Sequence, residues 1–176
     1  NTITYSEDFS DASWDKTTGG TGLVAVATAN TIISPNGTVN ADTIVFNSGV
    51  GTTTADQSNI GKTISILNAT TYTFSVYLKG LTGGEEILFR GSDGVYVKYV
   101  LTNEWKRYTF TSLSTSTVWT LSFGLRQGLS GIGTINSSAS VYAYGAQVEE
   151  NSYSTSYIKT IGTTQSRSAD TANGAG

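Results

Sequence analysis

The stretch "YTFSVYLKG", residues 72–80, decides the fold. Tyr72, Phe74, Val76 and Leu78 alternate with Thr73, Ser75, Tyr77 and Lys79. Successive side chains of an extended chain point to opposite faces, so one face of this segment is apolar and the other polar. A helix would instead repeat its apolar positions every three and four residues. A strand buried on one side needs partners, and the flanking sequence supplies them. Before it stand "GLVAVATANTII" (22–33), "NADTIVF" (40–46) and "SNIGKTISI" (58–66). After it come "EEILFRG" (85–91), "GVYVKYVL" (94–101), "EWKRYTFT" (104–111), "TVWTLSFGL" (117–125) and "ASVYAYGAQVEE" (139–150). "ITYSEDF" (3–9) alternates loosely and reads as a first strand.

Turn chemistry separates these runs. "SPNG" (34–37) is punctuated by Pro35 and Gly37, "LTGG" (81–84) is a loop, and "GLSGIGTINSS" (128–138) is a longer Gly-rich one. The short link "TNE" (102–104) predicts a hairpin between its flanking strands. About ten short strands with turn signals between them, and no helical period, predict an all-β fold. The expected form is a jelly-roll β-sandwich of two antiparallel sheets. It is expected over residues 1–165, with the small, polar, Gly-bearing end at 166–176 as a tail or linker.

Composition narrows the function classes. Charged residues are 13% of the 176, the net charge is −3, and the apolar residues fall in patterned runs, which is not a signature of disorder. The pI near 4.8 argues against a nucleic-acid partner, whose phosphates demand a basic face. No apolar run approaches the roughly 20 residues of a membrane helix, so membrane insertion is not expected. Cysteine is absent, and with it any disulfide. Histidine is absent too, which removes the usual neutral-pH base and the commonest transition-metal ligand. Glycoside hydrolysis needs two carboxyls about 5–9.5 Å apart. Glu85 and Glu86, like Glu149 and Glu150, are adjacent on strands and so point to opposite faces. Asp8, Asp11 and Asp15 sit near a terminus or loop, and no serine elbow, phosphate loop or metal-ligand spacing occurs. An enzyme is not expected.

Five stretches carry a resemblance: "TYSEDFSDASW" (4–14), "SPNGTVNADTIV" (34–45), "TTYTFSVYLKG" (70–80), "NEWKRYTFT" (103–111) and "YGAQVEENSYSTSYIKT" (144–160). In this order they resemble a domain of tailed-phage virion proteins and prophage-borne bacterial proteins. That domain is similar to the jelly-roll carbohydrate-binding modules of bacterial glycanases. The resemblance implies non-catalytic binding of a polysaccharide or surface glycan by a tail-type protein, on a virion or otherwise extracellular, with other virion proteins as further partners. The alternative is a structural decoration or assembly domain of the virion without a sugar ligand. The resemblance also implies a closing run, "SYSTSYIKT" (152–160), in which Tyr153, Tyr157 and Ile158 pack the tail onto the sandwich. The family usually has Pro where Lys159 stands, a departure expected to loosen the tail.

Modules of this shape often hold a structural calcium between the first and last strands. The usual acidic positions read here as Ser10, after Phe9, and Gln147, before Val148. Calcium favours several oxygen ligands, preferably carboxylates. No cofactor is therefore required, and a structural calcium is disfavoured unless Glu7 or Asp8 substitutes. Sugar recognition needs an aromatic ring to stack on a pyranose and polar groups to bind its hydroxyls. Strand parity offers Tyr77 and Lys79. It adds Glu86, Leu88 and Arg90 if Ile87 and Phe89 point inward, and Ser122 and Arg126, with Gln127 beyond, if Leu121, Phe123 and Leu125 do. These three strands are expected to share one face, whose arginines suit an acidic or hydroxyl-rich glycan. Trp119 completes the candidate set, although its parity with Leu121 and Phe123 favours burial. Trp14 and Trp105 read as core. Tyr96 and Lys98 share a polar face on a strand that parity alone does not assign to either sheet.

Overall fold

The computed structural model describes residues 1–91 and 93–166. The expected tail at 166–176 lies, apart from its first residue, outside the described residues. The strands are β1 (Asp15–Gly19), β2 (Leu23–Ile33), β3 (Val39–Asn47), β4 (Gln57–Ser65), β5 (Thr71–Gly80), β6 (Glu86–Arg90), β7 (Tyr96–Val100), β8 (Lys106–Leu113), β9 (Val118–Arg126) and β10 (Ser138–Glu149). They form two five-stranded sheets, β1-β4-β9-β6-β7 and β2-β3-β10-β5-β8, antiparallel throughout. This is the jelly-roll sandwich that the alternation implies.

The inner face of β5 is as its sequence dictates: Tyr72, Phe74, Val76 and Leu78 are buried. Facing them from the other sheet are Ile87, Phe89, Trp119, Leu121, Phe123 and Leu125. Phe123 is the hub. The rings of Phe9, Phe46, Phe74 and Phe89 lie 5.8, 6.0, 6.3 and 6.0 Å from its centroid, tilted or edge-on as ring quadrupoles prefer.

The N-terminal segment departs from expectation. Residues 3–9 are not a strand, because Tyr5 takes a left-handed backbone (φ 53°) that breaks the extended run. The segment wraps the end of the sandwich and plugs it with Ile3, Phe9 and Trp14. Lys62 on β4 anchors it: its buried ammonium donates to Thr4 O (3.0 Å) and Ser13 Oγ (2.7 Å) and lies over the Trp14 ring. The short β1, "DKTTG", carries no apolar residue and gives no strand signal in the sequence. The link at 102–104 is not a hairpin. It carries the chain from β7 in one sheet to β8 in the other. Trp105 is not core; it sits half-buried and donates Nε1–H to Ile33 O at 3.1 Å.

The tail after β10 is fastened to the outer face of β5, β8 and β10. Thr73 Oγ1 donates to Asn151 O (2.8 Å), and Arg107 binds Thr155 O and Ser75 Oγ. Gln147 clamps the chain from both ends, accepting from Ile158 N (2.7 Å) and donating to Ser156 O (3.3 Å). Tyr157 lays its ring against Gly145, where a Cβ would come within 3.3 Å of that ring and the backbone is left-handed (φ 65°). Its hydroxyl meets Ser6 Oγ at 2.6 Å. Ile158 is half-buried, whereas Tyr153 is exposed and does not hold the tail. Lys159 fastens the tail rather than loosening it, through a 2.5 Å ion pair with Glu7.

Candidate functional site

The two outer faces have different fates, and this separates the residues expected to act together. Tyr77 and Lys79 lie on β5, while Arg90 and Arg126 lie on β6 and β9 of the opposite sheet. The six candidates therefore cannot form one face. Parity gives the side of a strand and not the sheet it joins. Tyr77 is not a free platform either: Tyr144 is 6.0 Å away by ring centroids and the Arg107 guanidinium lies 5.5 Å over its ring. Thr73 and Ser75, expected in solvent, are fully buried near the tail.

Two further candidates fall to burial. Trp119 is 1% exposed, points into the core and donates to Arg90 O at 3.3 Å, so no sugar can reach its ring. Gln127 is a buried brace that donates to Ser48 Oγ (2.8 Å) and Ile135 O (3.3 Å). Leu88, placed outside by alternation, is also buried. The 128–137 loop crosses its side of the sheet, held by Asn136 N to Glu86 Oε2 (2.9 Å), Lys98 Nζ to Thr134 O (3.2 Å) and the Lys98–Glu86 ion pair (3.0 Å).

What stays open is the other half of the β1-β4-β9-β6-β7 face. Register aligns Asp15, Gly61, Ser122, Arg90 and Tyr96 in a single row across all five strands. The middle positions are small, so the row dips between Asp15 on one wall and Arg90 with Tyr96 on the other. Thr17, Asn59 and Gly124 form the next row, and Gln57 with Arg126 the one beyond. Gly124 has φ 149°, and a Cβ there would fall 2.4 Å from Ser58 O, so this low floor requires glycine. The result is a trough of about 180 Å³, lined by Asp15, Gln57, Asn59, Arg90, Tyr96, Ser122 and Arg126, among others. That is less than the several hundred Å³ of a pocket that engulfs a drug-sized ligand, and suits one ring of a chain lying across a sheet.

Its polar groups are held in fixed directions. Arg126 donates Nε–H to Thr54 O (2.8 Å) and Nη1–H to Tyr96 Oη (2.6 Å), and its guanidinium lies 5.5 Å over the Tyr96 ring. Asp56 organises the loop that supplies Thr54. Its carboxylate accepts from Thr21 N and Oγ1 and from Thr53 N and Oγ1, at 2.7–2.9 Å, which holds it well below the usual carboxylate range. On the far side of Tyr96 a second hollow, about 270 Å³, is lined by Val95, Leu129 and Ile132.

Sequence reasoning singled out Arg90, Arg126 and Ser122 but missed Asp15, Gln57 and Asn59. It left Tyr96 without a sheet. A signal for β4 was present: Gln57, Asn59, Gly61, Thr63 and Ser65 alternate with Ser58, Ile60, Lys62 and Ile64.

The side chains at the expected calcium positions have partners within the chain. Ser10 N and Oγ bind Asp8 Oδ1, and Gln147 is committed to the tail. Glu7 is neutralised by Lys159 and also accepts from Asn40 (3.0 Å) and Tyr157 (3.2 Å). Of the two acids named as substitutes, Glu7 thus already has a cation beside it. Among the described residues no three His, Cys, Asp or Glu side chains group to hold a metal ion, and no helix is long and apolar enough to cross a membrane.

No protein-family model and no curated protein matches the chain. Among solved structures it is similar to a protein of Bacteroides thetaiotaomicron provisionally described as sugar-binding, with TM-score 0.50, 11% identity, and 85% of this chain and 94% of that one covered. It is also similar to the TmCBM61 module solved with β-1,4-galactotriose (TM-score 0.47, 14% identity, 82% and 92% covered). A third is the enzymatically active domain of tailspike protein 4 of bacteriophage CBA120 (TM-score 0.47, 12% identity, 84% of this chain but 21% of that one). At these identities the likeness is one of fold.

Proposed function

We propose that the chain is a non-catalytic carbohydrate-binding domain that seats a polysaccharide or surface glycan in the trough of the β1-β4-β9-β6-β7 sheet. The observation that carries this is the cross-strand row Asp15-Gly61-Ser122-Arg90-Tyr96: a low floor between polar walls, with a tyrosine ring at one side. Asn59, Gln57 and the two arginines supply directional hydrogen bonds to hydroxyls, and Tyr96 supplies an apolar ring edge. The order of the sequence motifs supports the wider placement we attach to it, a tail-type protein on a virion or another extracellular surface. Several copies on one particle would convert a weak single site into avid attachment. The domain, made multivalent on beads, is to be screened against a glycan array that includes bacterial polysaccharides. The expected result is a competable hit that releases no reducing ends and disappears with Ser122→Tyr, which fills the floor. A hit that survives Ser122→Tyr would move the site elsewhere.

One observation favours the assembly reading as an alternative. β2 is an 11-residue edge strand, "LVAVATANTII", without a charge or proline, and Leu23, Val24 and Val26 are exposed on it. Edges normally carry charges that prevent pairing. A second copy pairing along β2 would give a dimer by light scattering that Val26→Lys abolishes.

A further inference from the structure

The trough holds more positive charge than its own residues neutralise. Arg90 and Arg126 both line it, and among the described residues Asp15 is its only acid. Asp15 stands three strands from Arg90, about 14 Å at roughly 4.8 Å per strand, and the two do not pair. The ion pairs among the described residues are Lys98–Glu86 and Lys159–Glu7, so neither trough arginine has a carboxylate within 4.0 Å. The buried Lys62 is satisfied by Thr4 O and Ser13 Oγ, and Lys159 by Glu7.

Arg90 is the less satisfied of the two. Its Nη1 reaches Thr120 O at 3.3 Å, and its buried Nε–H has no partner, one of four such side-chain atoms among the described residues. A buried charged donor without an acceptor is costlier than a neutral one. Arg126 is fixed by Thr54 O and by the hydroxyl and ring of Tyr96, and Tyr96 is the cross-strand neighbour of Arg90. Both guanidiniums therefore border the same tyrosine, preorganised in a chain whose net charge is −3.

We infer that the trough selects an acidic glycan, with a sugar carboxylate seated between Arg90 and Arg126 beside Tyr96. This rests on reading the trough as the glycan site. A hydroxyl is neutral and leaves the charges uncompensated. A carboxylate accepts several hydrogen bonds, including the fork geometry that guanidinium matches, and neutralises them.

The test uses matched pairs: uronic-acid oligosaccharides, and the same oligosaccharides with each carboxyl reduced to the primary alcohol. Binding is measured by calorimetry on the whole chain at low and high salt. The acidic member is expected to bind at least tenfold tighter than its reduced partner, with an advantage that shrinks as salt rises. Arg126→Gln is expected to remove most of the difference; if that variant fails to fold, the wild-type comparison still decides. Equal binding of both members, independent of salt, overturns the charge assignment and leaves the glycan site standing. Binding of neither member, with neutral glycans also blank, overturns the glycan site and this inference with it.

Discussion

Tyr157 is the point at which the closing run can be tested as part of the fold. Its hydroxyl meets Ser6 Oγ at 2.6 Å and donates to Glu7 Oε1 at 3.2 Å, and its ring meets Tyr144 edge-on at 5.4 Å. Tyr157→Phe deletes the hydroxyl alone. A net hydrogen bond contributes about 1 kcal/mol, somewhat more to a charged acceptor. Ser6 Oγ keeps a partner in Thr160 N (2.9 Å), and Glu7 keeps Asn40 and Lys159 on its other oxygen. The expected loss is about 1–2 kcal/mol. Tyr157→Ala also removes the ring, whose edge contact is worth about 0.5–1.5 kcal/mol. Its partial burial is worth less than the roughly 1.5–3 kcal/mol of a fully buried side chain, and the total comes to about 3–4 kcal/mol. For a domain of this size each kcal/mol lowers Tm by about 2–4 °C. Urea unfolding followed by tryptophan fluorescence would report it, since Trp14 and Trp119 are buried. The midpoint should fall with the slope unchanged. A Tyr157→Ala protein within about 0.5 kcal/mol of wild type would refute the idea that the tail belongs to the cooperative unit.

Trp119→Ala should cost about 3–5 kcal/mol as a core truncation, and a merely weaker sugar affinity at unchanged Tm would contradict its placement in the core. Excess chelator should leave Tm unchanged, since Lys159 already neutralises Glu7; a fall of several degrees restored by calcium would contradict this. The pH profile of stability should pass through a maximum on the acid side. Burial pushes the Asp42 carboxyl up to about 6, so it contributes stability below its ordinary value of 3.8 that is lost as pH rises through about 6. Asp56 works in the opposite sense: held low by its hydrogen bonds, it contributes stability above 3.8 that is lost as pH falls further. Tm should therefore rise as pH is lowered through 6 and fall below about 3.8, and a profile that declines steadily from neutral pH would count against the Asp42 assignment.

Strands with one buried side are legible, because burial writes itself as alternation. β5 is the clearest case. β1 was illegible because all five of its residues are polar or glycine and it is held by pairing with β4. Residues 3–9 misled because Ile3 and Phe9 are buried for a different reason, as plugs at the end of the sandwich. Which sheet a strand joins is a long-range fact that no single strand encodes. Parity therefore puts Tyr77 and Lys79 on one face with Arg90 and Arg126, and gives Tyr96 no sheet. Alternation does not give exposure where an irregular segment covers a sheet: the tail near Thr73 and Ser75, the 128–137 loop over the side that carries Leu88.

The central claim is that a glycan lies in the trough. Its most direct test is chemical-shift mapping on the ¹⁵N-labelled chain with the best oligosaccharide from the array. The account predicts shifts concentrated at Asn59, Gly61, Ser122, Gly124, Arg90 and Tyr96, with β5 and β8 unmoved. Shifts centred on Tyr77 and the tail, or no localised shifts at saturating ligand, would contradict it.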